Sequence, residues 1–193
     1  MSSPAPGRPL LRQGTVDTFC SIYAVLNALR LIRNLRILEC REIFNTTLLR
    51  LSETGALAPV LTQQADYGLL VDDMLDSLPP DRRLGVLHPF RQGSAPTQKK
   101  FIDTCSDWFS RPRRAAIVSF ERYISPDAET PFIRHWTTIS GVRNDGFLLA
   151  DASPQPFDSD RIPFREMILT PAELDVGRLT RILVPTLRLL FLP

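Results

Sequence analysis

The sequence predicts an α+β domain in which helices occupy the first half of the chain and an antiparallel sheet the second. Apolar residues from Ile22 to about Leu35 recur at the three-and-four spacing of an amphipathic helix. After Arg114 the pattern changes to short, β-branched apolar runs separated by turn residues. The 193 residues, 44% of them hydrophobic, are enough for one compact core. We therefore expect a single domain over residues 1–193, with 1–11 as a flexible N-terminal segment.

The first predicted helix follows Asp17 and Thr18, either of which can cap its start. The next helix candidate covers 41–51. A third is capped near Thr62 and stopped by Pro79 and Pro80, because proline cannot continue a helix interior. A fourth follows over about 97–110. The helical half therefore ends before the "RPRR" run that precedes the strands.

Strands are expected in "AAIVSFE", "IRHWTTISGV" and "FLLADAS", which are joined by a polar loop and an "RNDG" turn. The tail "LTRILVPTLRLLFLP" predicts one or two closing strands. Pro185 within it must lie at an edge or a break, because proline donates no ladder hydrogen bond.

The charge pattern argues against several classes of function. The formal net charge is +2, and basic residues are interspersed with carboxylates, so no nucleic-acid footprint is indicated. No apolar run approaches the roughly 18 residues that span a bilayer, and the N-terminus lacks a secretory signal pattern. We expect no membrane span and a cytoplasmic location in the producing cell. The preference for arginine over lysine and the 17 prolines suggest a GC-rich bacterial genome.

The three cysteines are Cys20, Cys40 and Cys105. They are odd in number, widely spaced and without a CxxC pair, so neither a disulfide framework nor a zinc site is indicated. We expect no metal or other cofactor. Thiol chemistry remains open.

Cys20 is predicted in the first turn of the first helix. Unpaired backbone N–H groups and the helix dipole there stabilise a thiolate, and the same N–H groups can receive an oxyanion. The competing interpretation is a buried structural cysteine, which the helix pattern alone favours. Gln13 lies upstream of the helix. Its side-chain amide could add a second oxyanion donor, unless it is an ordinary polar loop residue.

A reactive cysteine needs a base, and the chain has two histidines. His88 precedes a proline in a polar connection, so we interpret it as a surface or loop-packing residue. His135 begins a strand, and Asp151, sixteen residues later, ends the next strand and can hold the second ring nitrogen. A two-residue turn of Asp145 and Gly146 would put Asp151 on the opposite face from His135. The pairing therefore predicts a wider loop or a bulge.

The stretches "RQGTVDTFCSIYAVLNAL" and "HWTTISGVRNDGFLLADASP" resemble the papain-like cysteine peptidases, and more narrowly the C39-type, bacteriocin-processing branch. The resemblance implies a papain-like fold with the nucleophile at the start of a central helix. It assigns Cys20 as nucleophile, His135 as base, Asp151 as orienting acid and Gln13 as oxyanion donor. The chain departs from the family pattern at Ser21, where glycine usually follows the cysteine.

The resemblance implies a cysteine peptidase acting on a protein or peptide substrate. Separately, Trp136 is a candidate substrate-binding residue, since aromatic side chains can line a substrate groove, although aromatics in such positions are more often part of the core. A glutamine deamidase or acyl-transferase effector with the same triad is an alternative, as is a catalytically silent peptide-binding domain. A redox sensor would need a resolving cysteine close to Cys20, and neither other cysteine is near in sequence. Secreted bacterial effectors of this size share the triad, so delivery into a target cell without a signal peptide is left open.

Overall fold

The computed structural model describes residues 10–12, 18–91, 95–152 and 160–193. Within these residues the chain forms five α-helices and eight strands. The helices are α1 (Cys20–Arg33), α2 (Ile37–Glu53), α3 (Leu57–Leu61), α4 (Tyr67–Asp76) and α5 (Gln98–Phe109). The strands are β1 (Gly85–Leu87), β2 (Arg114–Arg122), β3 (Ile133–Arg143), β4 (Gly146–Leu149), β5 (Arg161–Pro163), β6 (Met167–Ile168), β7 (Thr180–Ile182) and β8 (Arg188–Phe191).

All eight strands belong to one sheet. Its main path runs β1-β8-β2-β3-β4-β5, and β7 pairs with the second half of β2. These pairings are antiparallel, and β6 lies parallel to β7 at the side. The predicted α+β class is confirmed.

Helices cover both faces of the sheet, and β2 shows how the sequence allows this. Ala115 and Ile117 belong to the core cluster that contains α1, whereas Ala116 and Val118 belong to the cluster that contains Phe101 of α5. Successive side chains of a strand point to opposite faces, so a strand buried on both sides needs a continuous apolar run. The sequence "AAIVSF" supplies that run.

The helix predicted to begin near Thr62 is in fact two helices. Thr62 follows the end of α3, and α4 begins after Asp66. The Asp66 carboxylate accepts hydrogen bonds from the backbone N–H groups of Gly68 and Leu69 at 2.9 and 3.1 Å. This cap breaks the apolar periodicity that the sequence suggested was continuous. The connection between the two helices carries Gln63, whose φ of 58° is left-handed.

The other predicted elements need smaller corrections. The 41–51 helix is longer at both ends, as α2, and Glu39 accepts the backbone N–H of Arg36 at its start. The helix predicted over about 97–110 is present as α5, and Thr97 caps it by accepting the N–H of Lys100 at 3.2 Å. The tail forms two strands, β7 and β8, and Pro185 lies in the 3₁₀ turn that separates them. The short strand β1 had no clear sequence signal.

None of the described helices is long and apolar enough to cross a membrane.

Candidate active site

Cys20 is the first residue of α1, as the sequence predicted. The N-cap residue is Phe19, whose side chain supplies no capping hydrogen bond. Thr18 is therefore not the cap: its hydroxyl donates instead to the carbonyl of Val60 at 3.0 Å. Asp17, the other predicted cap, lies outside the described residues. The half-buried Cys20 sulfur thus lies at the positive end of the helix, beside backbone N–H groups of its first turn.

His135 is the third residue of β3 and lies opposite Phe120 of β2. The two rings meet edge to face with centroids 5.6 Å apart, which fixes the plane of the imidazole. The ring atom Nε2 lies 2.6 Å from Oδ1 of Asp151. A carboxylate only accepts, so Nε2 carries the hydrogen and Nδ1 is the ring nitrogen left to interact with a thiol.

A β-bulge brings Asp151 to the face of His135. The β3–β4 hairpin turns through residues 144 and 145, and its register shifts at Ser140, between the pairs Ile139 with Leu149 and Gly141 with Leu148. Beyond the shift the pairing continues, because the N–H of Ala150 donates to the carbonyl of Thr138 at 2.7 Å.

The register shift decides which face Asp151 occupies. If the register set by the turn continued without the shift, Asp151 would lie opposite Thr138. The side chain of Thr138 points away from the sheet face that carries His135. With the shift, Asp151 falls opposite Thr137, on the His135 face and one diagonal step away. Of the two predicted alternatives, a wider loop or a bulge, the structure contains the bulge.

Burial by itself lowers the pKa of His135, since it disfavours the charged ring. Hydrogen bonds to Asp151 and Cys20, together with their negative charges, outweigh that effect and raise the pKa to about 10. The imidazolium form is therefore favoured at neutral pH. A cation beside Cys20 stabilises the thiolate, which is the nucleophilic form of cysteine.

Cys20 and His135 share a cleft of about 270 Å³. Its lining consists of Thr18, Cys20, Gln63, Ala65, Tyr67, Arg134, His135 and Trp136. The start of β3 forms one wall and the connection from α3 into α4 contributes to the other. Within that second wall the hydroxyl of Tyr67 donates to the carbonyl of Val60 at 2.9 Å. Burial raises the pKa of Tyr67, and the charge of Cys20 adds to the effect.

Trp136 lies partly in the cleft and mostly in the core. It lines the cleft, yet only 5% of its surface is exposed. The Arg188 guanidinium lies 5.3 Å from its ring centre on the sheet face that α1 covers. Gln13, the predicted oxyanion donor, lies outside the described residues.

Two buried polar side chains hold α1 against the strands that carry His135 and Asp151. The side chain of Asn27 accepts the N–H of Leu11 at 2.9 Å and donates to the carbonyls of Leu11 and Ala150 at 3.1 and 3.3 Å. The hydroxyl of Thr138 donates to the carbonyl of Ala24 at 2.6 Å. These bonds tie α1 to β3 and to the residue before Asp151.

Sequence reasoning missed four residues around the cleft: Gln63, Tyr67, Arg134 and Asn27. Three of these line the cleft, and Asn27 holds its supporting elements together. An amide inside the apolar stretch "AVLNALRL" was a usable signal for Asn27, because a buried amide must find hydrogen-bond partners. The cleft positions of the others depend on tertiary packing.

The other two cysteines are buried away from this cleft. Burial raises the pKa of the Cys40 thiol, and burial raises that of Cys105 to about 12. Both are therefore protonated and unreactive at neutral pH. Among the described residues, no group of three or more histidine, cysteine, aspartate or glutamate side chains could hold a metal ion.

No family model matches the chain, and no curated protein matches its sequence.

Proposed function

We propose that this chain is a papain-like thiol hydrolase that cleaves an amide bond in a peptide or protein. One observation carries the proposal: the imidazole of His135 is held by Asp151 at 2.6 Å and interacts with the thiol of Cys20 in the same cleft. A nucleophile, a base and a group that orients the base are the three parts that thiol catalysis requires.

The reaction begins with the Cys20 thiolate, whose sulfur forms a bond to the carbonyl carbon of the substrate. The electron pair of the C=O bond moves to oxygen, and that oxyanion is stabilised by the backbone N–H of Cys20, with Gln13 as the proposed second donor. His135 transfers its proton to the leaving nitrogen as the C–N bond breaks. Water, deprotonated by His135, then attacks the thioester and releases Cys20.

The fold also supports the proposal. A helix with cysteine at its start packs against an antiparallel sheet in which β3 carries the histidine, and the aspartate follows two residues after β4. This order agrees with the one that the resemblance to papain-like enzymes implies. Peptide-bond cleavage is the first choice of reaction. Deamidation of glutamine and acyl transfer use the same three residues and differ in the leaving amine or the entering nucleophile.

The proposal is tested by trapping the intact protein with a cysteine-directed epoxide and locating the adduct by peptide mass spectrometry. We expect modification at Cys20 and not at Cys40 or Cys105. The His135→Ala change should slow the modification by about 100-fold, since the thiolate loses its cationic partner.

His88→Ala is the matched control, because His88 is the other histidine and does not line this cleft. We expect it to react at the wild-type rate within about twofold. Circular dichroism and urea unfolding establish that each variant is folded, and His135→Gln provides a second test if the alanine variant is unstable. An inert Cys20, or equal labelling without His135, would refute the proposed function.

A further inference from the structure

Arg134 precedes the candidate base and lines the same cleft as Cys20. In the sheet it pairs with Glu121 of β2, and Glu121 also pairs with Arg181 of β7. The carboxylate of Glu121 is almost fully buried, with 3% of the side chain exposed, whereas 64% of the Arg134 side chain is exposed. A buried acid therefore anchors an arginine whose outer part reaches solvent at the cleft.

Glu121 is held from several sides. Its Oε1 accepts two hydrogen bonds from Arg134, from Nε at 2.9 Å and from Nη2 at 2.7 Å. Its Oε2 accepts from Arg181 Nη1 at 3.1 Å and from the hydroxyl of Tyr123 at 3.0 Å. Two guanidinium groups therefore surround one carboxylate, which leaves an excess positive charge at this point of the surface.

The anchoring leaves Arg134 able to bind a second anion. A guanidinium has five N–H donors in a fixed planar fork, and the two contacts to Glu121 use Nε–H and one hydrogen of Nη2. The remaining donors can reach a second carboxylate without a new ordering cost for the side chain, since Glu121 already fixes its stem. Such charge-assisted pairs are the stronger hydrogen bonds in proteins.

The charge of the cleft agrees with this arrangement. Among the described residues that line it, Arg134 and His135 are the two basic groups, and none is an aspartate or glutamate. Asp151 lies behind the imidazole, to which its charge is committed. The charge of His135 is balanced by the Cys20 thiolate and Asp151, so Arg134 is the cation that would attract an acidic side chain entering the cleft and repel a basic one.

We propose that Arg134 selects peptide substrates that carry an aspartate or glutamate next to the bond that Cys20 attacks. This specificity rests on the proposed hydrolase function. Arg134 binds the substrate carboxylate in a two-pronged pair, while Glu121 fixes the guanidinium from behind and Arg181 balances the charge of Glu121.

The test uses short peptidyl chloromethyl ketones as electrophilic probes in matched pairs. Each pair differs only in Glu against Gln, at the first, second or third residue from the reactive carbon, so size and shape are constant. The rate of Cys20 modification is measured by mass spectrometry. At one or more positions the Glu probe should react about tenfold faster with the wild-type protein.

Three variants locate the origin of that preference. Arg134→Gln should bring the Glu-to-Gln rate ratio close to one, and Arg134→Lys, which retains the charge, should keep part of the preference. Arg165→Gln is the control, because Arg165 is exposed and does not line the cleft; its ratio should equal that of wild type. Urea unfolding shows whether the loss of a partner for Glu121 has perturbed the fold.

The outcomes separate the two proposals. Reaction of Cys20 with Glu and Gln probes at equal rates at all three positions, or a preference that survives in folded Arg134→Gln, overturns the acidic specificity and leaves the hydrolase intact. Failure of Cys20 to react with any probe refutes both.

Discussion

Two histidine–aspartate pairs lie among the residues that the structure describes, and they differ in distance and in the direction of the histidine pKa shift. His135 contacts Asp151 at 2.6 Å, and its pKa is raised. His88 lies 4.0 Å from Asp72, and its pKa is lowered, first by burial. The sequence favoured His135 as the base and indicated a surface or loop-packing role for His88, and the structure places a carboxylate within hydrogen-bond distance of His135.

Besides burial and the longer distance, the cations around Asp72 help to keep the pKa of His88 low. Asp72 is bound by Arg188 through two hydrogen bonds of 2.9 and 3.0 Å, and Arg91 lies 3.9 Å from it. The charge of Asp72 alone would raise the pKa of His88, but the two arginines oppose it. A carboxylate that is already paired with cations therefore does less to raise the pKa of a neighbouring histidine.

The largest expected effect follows from removing each aspartate in turn. Asp151→Ala should slow the alkylation of Cys20 by iodoacetamide at about pH 6 by roughly 30-fold, because His135 loses both its orientation and its charge partner. Asp151→Asn should restore most of the rate, since an amide oxygen still accepts from Nε2. Asp72→Ala should leave the rate within about twofold. Equal slowing by both alanine changes would show that the two pairs are not functionally distinct.

Removing Arg188 should make the second pair more like the first. Arg188→Met keeps most of the apolar stem beside Trp136 but leaves Asp72 without its main cation, at a cost of about 3 kcal/mol of unfolding free energy. The pKa of His88 should then rise, as measured by NMR titration of the two histidine side chains. Arg91→Met is the control, with a cost below about 0.5 kcal/mol because that side chain is 60% exposed. An unchanged His88 titration would contradict the explanation given for its lowered pKa.

The two histidines should affect stability with opposite dependence on pH. The measurements use the Cys20→Ser protein, so that ionisation of the Cys20 thiol does not offset the effect of His135 ionisation on stability. Asp151 keeps the folded pKa of His135 above its unfolded value of 6.5, so its contribution is full below that value and is lost as pH rises through the folded pKa. The folded pKa of His88 is depressed, so the protein loses stability as pH falls below 6.5.

Urea unfolding at a series of pH values measures both contributions. Between about pH 6 and pH 9.5, the difference between the Cys20→Ser protein and its His135→Gln derivative should shrink by about 2 kcal/mol. His88→Gln in the same background should remove part of the loss below pH 6.5. A His135 difference that does not depend on pH would mean that folding does not shift the pKa of the ring, which would contradict the raised pKa.

The smallest effect concerns the bond that joins α1 to the strand of His135. Thr138→Val keeps the shape of the side chain and removes its hydrogen bond to the carbonyl of Ala24, at an expected cost of about 1 kcal/mol. Alkylation of Cys20 should slow by about twofold to threefold, because the helix start is less firmly placed against β3. Thr104→Val is a suitable control, because the Thr104 hydroxyl makes a solvent-exposed hydrogen bond to the carbonyl of Lys100 within α5. If Thr138→Val destabilises the protein but leaves the alkylation rate of Cys20 unchanged, other contacts suffice to position the start of α1.

The sequence was informative where local chemistry decides the structure. The apolar periodicity predicted α1, and the change after Arg114 to short, β-branched apolar runs predicted β2, β3 and β4. The requirement that Asp151 lie beside His135 predicted a wider loop or a bulge between them. The boundary between α3 and α4 was missed because Asp66 caps a helix inside a continuous apolar pattern. Arg134, Gln63 and Tyr67 could not be assigned to the cleft, since their positions depend on how distant segments pack. The same holds for Arg188, whose partner Asp72 is 116 residues away in the chain.

The bulge at Ser140 has a consequence for how this chain should be compared with others. Because strand side chains alternate between faces, the site depends on whether the number of residues between His135 and Asp151 is odd or even, once any bulge is counted. Adding or removing two residues in this hairpin preserves the common face, whereas a change of one, or loss of the bulge, turns the carboxylate away. If an alignment with another chain places a gap of one residue in this hairpin, the common face is kept only when a bulge is also gained or lost. The comparison should therefore ask whether the number of residues between the histidine and the aspartate, with bulges counted, is odd or even.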